Sequence, residues 1–233
     1  MQDFSIIRES QIKETFRTNA IKGKFDLDIP VVSEKFEGKI NIPETWNIGL
    51  VVGNSGTGKT TIAKELFGGN FIESFGYDNG SVVDEMPKKV SVNEITKIFN
   101  SVGFSSVPSW LKPYHVLSNG EKMRVDLARA ILEDRPFFVF DEFTSVVDRN
   151  VAKIGSHAMQ KAIRRADKKF IAVTPHFDVE DWLCPDWVFD TNKMEFRLSN
   201  GKKKDQKSTP KLESSKTPKK KNLYGKNLEN III

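Results

Sequence analysis

The residues with the clearest chemical purpose are Gly53-Asn54-Ser55-Gly56-Thr57-Gly58-Lys59-Thr60-Thr61. Gly53, Gly58, Lys59 and Thr60 match the spacing G-x-x-x-x-G-K-[ST]. In such a loop the glycines let successive backbone N–H groups turn inward on an anion, and the N-terminus of the following helix adds a favourable dipole. Lys59 is placed to reach the β/γ-phosphates of a nucleotide, and the Thr60 hydroxyl to ligate Mg²⁺. The motif needs a strand before it and a helix after it. The apolar run Ile48 to Val52 supplies the first, and Thr60 to Phe67 reads as the second. A glycine-rich strand-to-helix turn with a chance lysine is the bland alternative.

Three further sets of residues carry chemistry. Phe137 to Phe140 is an apolar run that ends in Asp141 and Glu142. A parallel strand covered on both faces has this pattern, and ligands of such sheets bind at the strands' carboxyl ends. Asp141 is thereby placed to hold Mg²⁺ and Glu142 to orient and deprotonate an attacking water. His176 follows the apolar run Phe170 to Thr174 by two residues and reaches the same edge, unless it is a helix-capping or surface histidine. Leu117-Ser118-Asn119-Gly120-Glu121 opens a helix in which Met123, Leu127, Ala130 and Ile131 recur at helical spacing. Ser118 with Glu121 fits a capping box, which is a structural role. A hydroxyl and free N–H groups at a helix start also make an anion cap.

The elements that must position these residues follow from periodicity. Phe4 to Ile7, Phe25 to Ile29 and Lys35 to Ile42 alternate and read as an N-terminal antiparallel piece. Phe25, Phe36 and Trp46 are candidates to stack on an adenine, although core packing is the commoner fate of such aromatics. Gly68-Gly69-Asn70 breaks the chain, and Ser81 to Glu85 reads as a short strand. Ser91 with Glu94 opens a helix to about Val102, closed by Gly103. Val107 to Tyr114 reads as a proline-punctuated loop. Arg149 to Ala166 reads as a helix and Asp178 to Leu183 as a helical turn. Trp187 to Asp190 and Met194 to Leu198 read as two final strands.

The 233 residues suffice for one α/β domain and a tail. The net charge of +5 is unevenly spread: from Lys202 onward ten lysines face Asp205, Glu213 and Glu229, a net +7, which leaves −2 on residues 1–201. The domain itself therefore carries no general nucleic-acid-binding charge. The tail reads as disordered, either merely solvated or a polybasic arm for nucleic acid or an acidic protein. Ile231-Ile232-Ile233 could dock on a sheet edge. No run of about 18 apolar residues predicts a membrane span, and Met1-Gln2-Asp3-Phe4 lacks a signal-peptide pattern. Cys184 is the sole cysteine, which excludes an internal disulfide and points to a reducing, cytoplasmic setting.

In chain order the phosphate loop, Leu117–Glu121, Asp141–Glu142, Ser145-Val146-Val147-Asp148 and His176 resemble the ATP-binding-cassette (ABC) ATPase family, over roughly residues 20 to 200. The resemblance implies an α/β phosphate-loop NTPase core with a mainly parallel sheet, an N-terminal antiparallel β piece and a short helical signature subdomain at about 86–118. Its extent makes residues 1–200 the ATP-binding domain and 201–233 the Lys-rich tail. It implies ATP and Mg²⁺ as cofactors and a head-to-tail homodimer in which Ser118 and Gly120 of one subunit cap the γ-phosphate held by the other. By the same likeness His176 contacts that phosphate and Asp148 reaches the opposing phosphate loop. Asn119 and Glu121 depart from the family's Leu-Ser-Gly-Gly-Gln, and Phe143 stands where proline usually follows the glutamate. The usual Mg²⁺-linking glutamine is not evident; Asp84 or Glu85 lies about where it should be. Val107–Ser118, Phe143–Arg149 and Pro185–Phe189 resemble a narrower, stand-alone branch of bacteria and phages, often fused to a GNAT-type acetyltransferase. Such an enzyme could here be a separately encoded partner.

These features lead to the expectation of a soluble ATPase whose ATP-driven dimerisation works on nucleic acid or its modification. The alternatives are the ATP-binding subunit of a membrane transporter and a slowly hydrolysing nucleotide-dependent switch.

Overall fold

Alternation along the two most apolar runs sets the architecture. In the computed structural model, which describes residues 2–27, 31–72 and 75–199, strands β3 (Ile48–Val52) and β5 (Phe170–Thr174) are buried at every residue. Successive side chains of a strand point to opposite faces. Ile48, Leu50 and Val52 accordingly join Phe170 and Ala172 in one apolar cluster, while Val51 joins Ile171 and Val173 in another. A sheet covered on both faces results. Its order is β4-β5-β3-β6-β7, with β4 spanning Phe138–Phe140, β6 Trp187–Asp190 and β7 Glu195–Leu198. The first four strands are parallel and β7 runs antiparallel to β6.

Helix α2 (Lys59–Phe67) packs on one face with Phe36 and Ile40 of the N-terminal ribbon. Helices α3 (Val92–Ser101), α5 (Asn119–Leu132) and α6 (Arg149–Arg165) bury their apolar stripes on the other. The ribbon is the expected antiparallel piece: β1 (Gln2–Gln11) pairs along its length with β2 (Val31–Ile40) as a separate two-stranded sheet. The described residues belong to one compact unit, Met1–Lys202.

Several local expectations change. Phe25 does not begin a strand; it ends helix α1 (Phe16–Phe25), which is held by a Thr15–Thr18 capping box and a left-handed Asp26 at its C-terminus. Asp28 and Ile29, and the tail 201–233 with Ile231–Ile233, lie outside the described residues. Ser81–Glu85 is not a strand. Val82 and Val83 donate to Lys112 and Trp110 carbonyls, but Asp84 and Glu85 both donate back to Ser81, so the backbone turns after two residues. Part of the expected loop at Val107–Tyr114 is a short helix, α4 (Val107–Trp110), with proline in its first turn. Helix α7 (Val179–Leu183) and the final strands form where the sequence predicts them.

One side chain ties down the amino ends of the central strands. Asp186 accepts from the N–H groups of Asn47 and Ile48 at 2.8 and 2.9 Å and from both terminal nitrogens of Arg164, at 3.0 and 3.3 Å. Asp186→Ala strands a guanidinium and two backbone donors in a half-buried place. We expect a loss of about 2 kcal/mol of unfolding free energy, measured by urea denaturation. A loss below about 0.5 kcal/mol would mark the anchor as dispensable.

Candidate nucleotide-binding site

Parallel pairing brings the carboxyl ends of four strands to one edge. Val52 is level with Thr174 of β5 and Asp190 of β6, and Phe140 with Ala172. The residues just beyond these positions are the phosphate loop, Asp141–Glu142, His176 and Thr191–Asn192.

The loop between β3 and α2 has the geometry that its glycines allow. Gly58 sits at φ +79°, the left-handed region, and a Cβ there would lie 2.4 Å from the Phe36 ring. Phe36 is thus a buried support beneath the loop and not an adenine-stacking residue. Trp46 is likewise committed to packing, against Phe137 and Trp187, whereas Phe25 is 63% exposed at the end of α1. Lys59 is only 6% exposed, and its ammonium donates across the loop to the Asn54 carbonyl at 2.7 Å. It has no acidic partner among the described residues. A buried ammonium at a helix N-terminus, satisfied only by a carbonyl, is arranged for an anion.

Beside it the Thr60 hydroxyl donates to Asp141 Oδ1 at 3.3 Å. A hydroxyl and a carboxylate oxygen are the hard donors that Mg²⁺ takes from protein when phosphates supply the rest. These two residues fit the ion, and no cluster of three or more His, Cys, Asp or Glu competes for it among the described residues. Asp84, expected to join them, makes its bonds within its own turn: its carboxylate accepts from the Ser81 hydroxyl at 2.5 Å and its carbonyl from Lys88 at 2.7 Å.

Glu142 lies at φ +50°, and buried Thr144, two residues on, at φ +69° with its hydroxyl unpartnered. Left-handed backbone at residues other than glycine stores strain of about 1 kcal/mol or more at each position and gathers at functional sites. The Glu142 N–H donates to Asp141 Oδ1 at 2.9 Å, while its carboxylate turns back to accept from the Ser145 hydroxyl at 2.6 Å. His176 is half-buried at the end of β5 and anchored through its backbone N–H to Thr174 Oγ1 at 3.2 Å. Asp148 caps α6, accepting from the Asn150 N–H at 2.8 Å.

Ser118 caps α5 in a complete capping box. Its N–H and hydroxyl donate to Glu121 Oε2 at 3.0 and 2.8 Å, and its hydroxyl accepts from the Glu121 N–H at 3.4 Å. Those donors, the Ser118 backbone N–H first, hold the Glu121 carboxyl below its usual pKa. Gly120 lies close to α6, where a Cβ would meet Val151 at 3.2 Å. No hydrogen bond joins Ser118 or Gly120 to the phosphate loop of the same molecule among the described residues. A groove of about 710 Å³ between α3, α5 and α6 holds none of these side chains.

Sequence reasoning missed the turn after β6. Thr191 and Thr57 share a hydrogen bond between their hydroxyls at 2.6 Å, and Thr191 also donates from its N–H to the Val52 carbonyl at 2.8 Å. Asn192 Oδ1 accepts from the Asn54 N–H at 2.9 Å. Gly53 is required here, because a Cβ would lie 2.1 Å from Thr191 Oγ1. The available signal was topological: Thr191 is the first residue past a strand that pairs with β3.

No family model matches the chain. It is 26% identical over 212 residues to the lactococcin-G-processing and transport ATP-binding protein LagD of Lactococcus lactis subsp. lactis, a match covering 69% of this chain and 30% of that protein. Less than a third of that relative's length is thus spanned. The dimeric structure of MJ0796, a bacterial ABC transporter cassette, matches with a TM-score of 0.54 at 13% identity, over 79% of this chain and 94% of that one. The post-hydrolysis dimer of that cassette with ADP and Pi matches with a TM-score of 0.50 at 16% identity, over 72% and 89%. The chain thus shares the fold of an ABC transporter cassette. In sequence and in fold, ABC ATP-binding proteins are what it resembles.

Replacing Thr191 by valine removes the hydroxyl that steadies Thr57 and lies over Gly53. We expect Mg-ATP binding to weaken about tenfold, followed by calorimetric titration. Unchanged affinity would show that the loop holds its shape without the β6–β7 turn.

Proposed function

We propose that this chain is the ATP-hydrolysing subunit of a membrane transporter, acting as a head-to-tail pair with itself. The observation that carries the nucleotide part is the buried Lys59 ammonium beside the Thr60–Asp141 pair. The transport part draws support from the name of the relative LagD and from the transporter cassette that shares the fold. Among the described residues no helix is long and apolar enough to cross a membrane, so a membrane component would be a separate chain or segment. Exposed Val92, Val107, Leu111 and Val116, all within the α3-to-α5 stretch, supply apolar surface for such a component. The expected link to nucleic acid rested on the lack of a membrane span, the Lys-rich tail and the narrower resemblance, and the separately encoded acetyltransferase on that resemblance alone. Neither finds support in the described residues.

In this reading the triphosphate lies along the backbone N–H groups of residues 53–60, and Lys59 exchanges the Asn54 carbonyl for the β/γ-phosphates. Thr60 and Asp141 would hold Mg²⁺, which would supply positive charge against the phosphate oxygens. Glu142 leaves Ser145 to orient water for in-line attack, and His176 contacts the γ-phosphate. Ser118 and Gly120 of a second copy close the site, with Asp148 reaching across the pair.

Lys59→Ala should reduce Mg-ATP turnover at least about a hundredfold in a phosphate-release assay. Glu142→Gln should cut turnover by about 10² to 10⁴ and accumulate an ATP-bound dimer in sedimentation at saturating Mg-ATP. A Glu142→Gln protein that stays monomeric would sink the head-to-tail model. Turnover stimulated by duplex or single-stranded DNA, with the effect fading as salt rises, would replace the transporter reading by one linked to nucleic acid.

A further inference from the structure

Helix α5 carries a carboxylate where its stripe is otherwise apolar. Asp126 lies between buried Val125 and Leu127 and forms no ion pair among the described residues. Its direct partner is the Tyr114 hydroxyl, which donates to Oδ2 at 2.7 Å. Tyr114 begins the 3₁₀ turn Tyr114–Val116 that leads straight into Leu117 and Ser118. Its ring stacks on Tyr77 with centroids 4.0 Å apart and planes 17° from parallel. The Arg129 guanidinium, one turn along α5, covers Phe75 at 4.8 Å and Tyr77 at 5.0 Å. One carboxylate therefore joins the 75–77 segment, the turn before the signature residues and the second turn of α5.

We propose that Asp126 is a positioning residue for the nucleotide site: through Tyr114 it sets how α5 presents Ser118 and Gly120, and turnover depends on that bond. The proposal rests on the assignment of Ser118 and Gly120 to the γ-phosphate of a second copy. The physical case is a short closed loop. The capping box fixes the start of α5, and the Tyr114–Asp126 bond fixes the chain four residues before that start to a point well inside the helix. Without the bond, the stack on Tyr77, Leu117 and the cap remain, but no hydrogen bond ties the Tyr114 side chain to the body of α5.

Charge governs how firmly the bond holds. The groups facing Asp126 are the hydroxyls of Tyr77 and Tyr114 from two other segments and the cations of Arg129 and Lys122 from its own helix. The Tyr77 hydroxyl is buried without a well-formed hydrogen bond, so an ionised Asp126 is what its positive edge meets, whereas the Nε of Arg129 also lies 3.7 Å from the Glu133 carboxylate. Burial pushes the Asp126 pKa up to about 6, with the bond from Tyr114 opposing that rise. Proton uptake as pH falls through that value weakens the bond from Tyr114, ends the attraction on the two cations and loosens the turn. The Asp126→Asn change keeps an acceptor for Tyr114 but removes the titration. The Tyr114→Phe change removes the donor, and with it the route by which Asp126 acts on the turn.

The test is the pH dependence of steady-state ATP turnover at saturating Mg-ATP for the full chain, Asp126→Asn and Tyr114→Phe, each checked for folding by circular dichroism. A single ionisation near pH 6 gives the wild type an extra fall of about fourfold between about pH 7.5 and about pH 5.5, and Asp126→Asn should lack it. Tyr114→Phe, which lacks the bond, should lose the extra fall as well, and it carries the test if the Asp126→Asn variant fails to fold. Equal profiles for wild type and both folded variants would overturn the positioning role while leaving the ATPase intact. A wild type without any turnover would overturn both the ATPase assignment and this inference.

Discussion

The structure depends on keeping the Lys59 ammonium out of water at the start of α2, across a loop that can also enclose phosphate. A buried cation without a carboxylate is tolerable only where a carbonyl and converging dipoles hold it until an anion arrives. That requirement determines the surroundings. Gly58 must be left-handed and lack a side chain, because the Phe36 ring supports the loop from below. Gly53 must lack one because Thr191 closes in from the side. The N-terminal ribbon and the β6–β7 turn, far apart in the chain, meet the same loop from two directions.

The other residues proposed for the site are bonded to near neighbours. Thr60 and Asp141 already touch, whereas Glu142 is bonded to Ser145 and Ser118 to Glu121. Each of those local bonds satisfies a polar group that would otherwise be solvated or unpaired, and each can be exchanged for a ligand contact at small net cost, because one hydrogen bond replaces another. The left-handed backbone at Glu142 and Thr144 is strain that the surrounding sheet maintains through the bond from the Phe143 N–H to the Val173 carbonyl. The capping box at Ser118 and the proposed phosphate cap are two uses of one set of donors.

Asp126 extends that logic away from the nucleotide. The helix bearing the signature residues could pack with an apolar side chain at this position, yet it carries a group whose charge depends on pH and whose partner lies at the entry to the same helix. The aromatic stack of Tyr77 on Tyr114 then couples the entry to the segment that precedes the 81–86 turn.

Spacing in the sequence alone determined the phosphate loop, the two carboxylates after β4, the histidine after β5 and the order of most helices and strands. These are local patterns: a glycine at a left-handed position, a run buried on both faces, a serine three residues before a glutamate. The tertiary structure decided what pairing across long separations controls. It turned Ser81–Glu85 from a strand into a turn, because pairing with the 110–113 segment stops at Val83 and the next two N–H groups donate back to Ser81. It made Phe36 a support for Gly58, although its aromatic ring equally suited an adenine. It placed Thr191 and Asn192 against a loop more than 130 residues earlier in the chain. Alternation, capping and spacing report on neighbours a few residues apart. Which strands lie side by side, and hence which residues meet at their ends, is set by burial of the whole sheet.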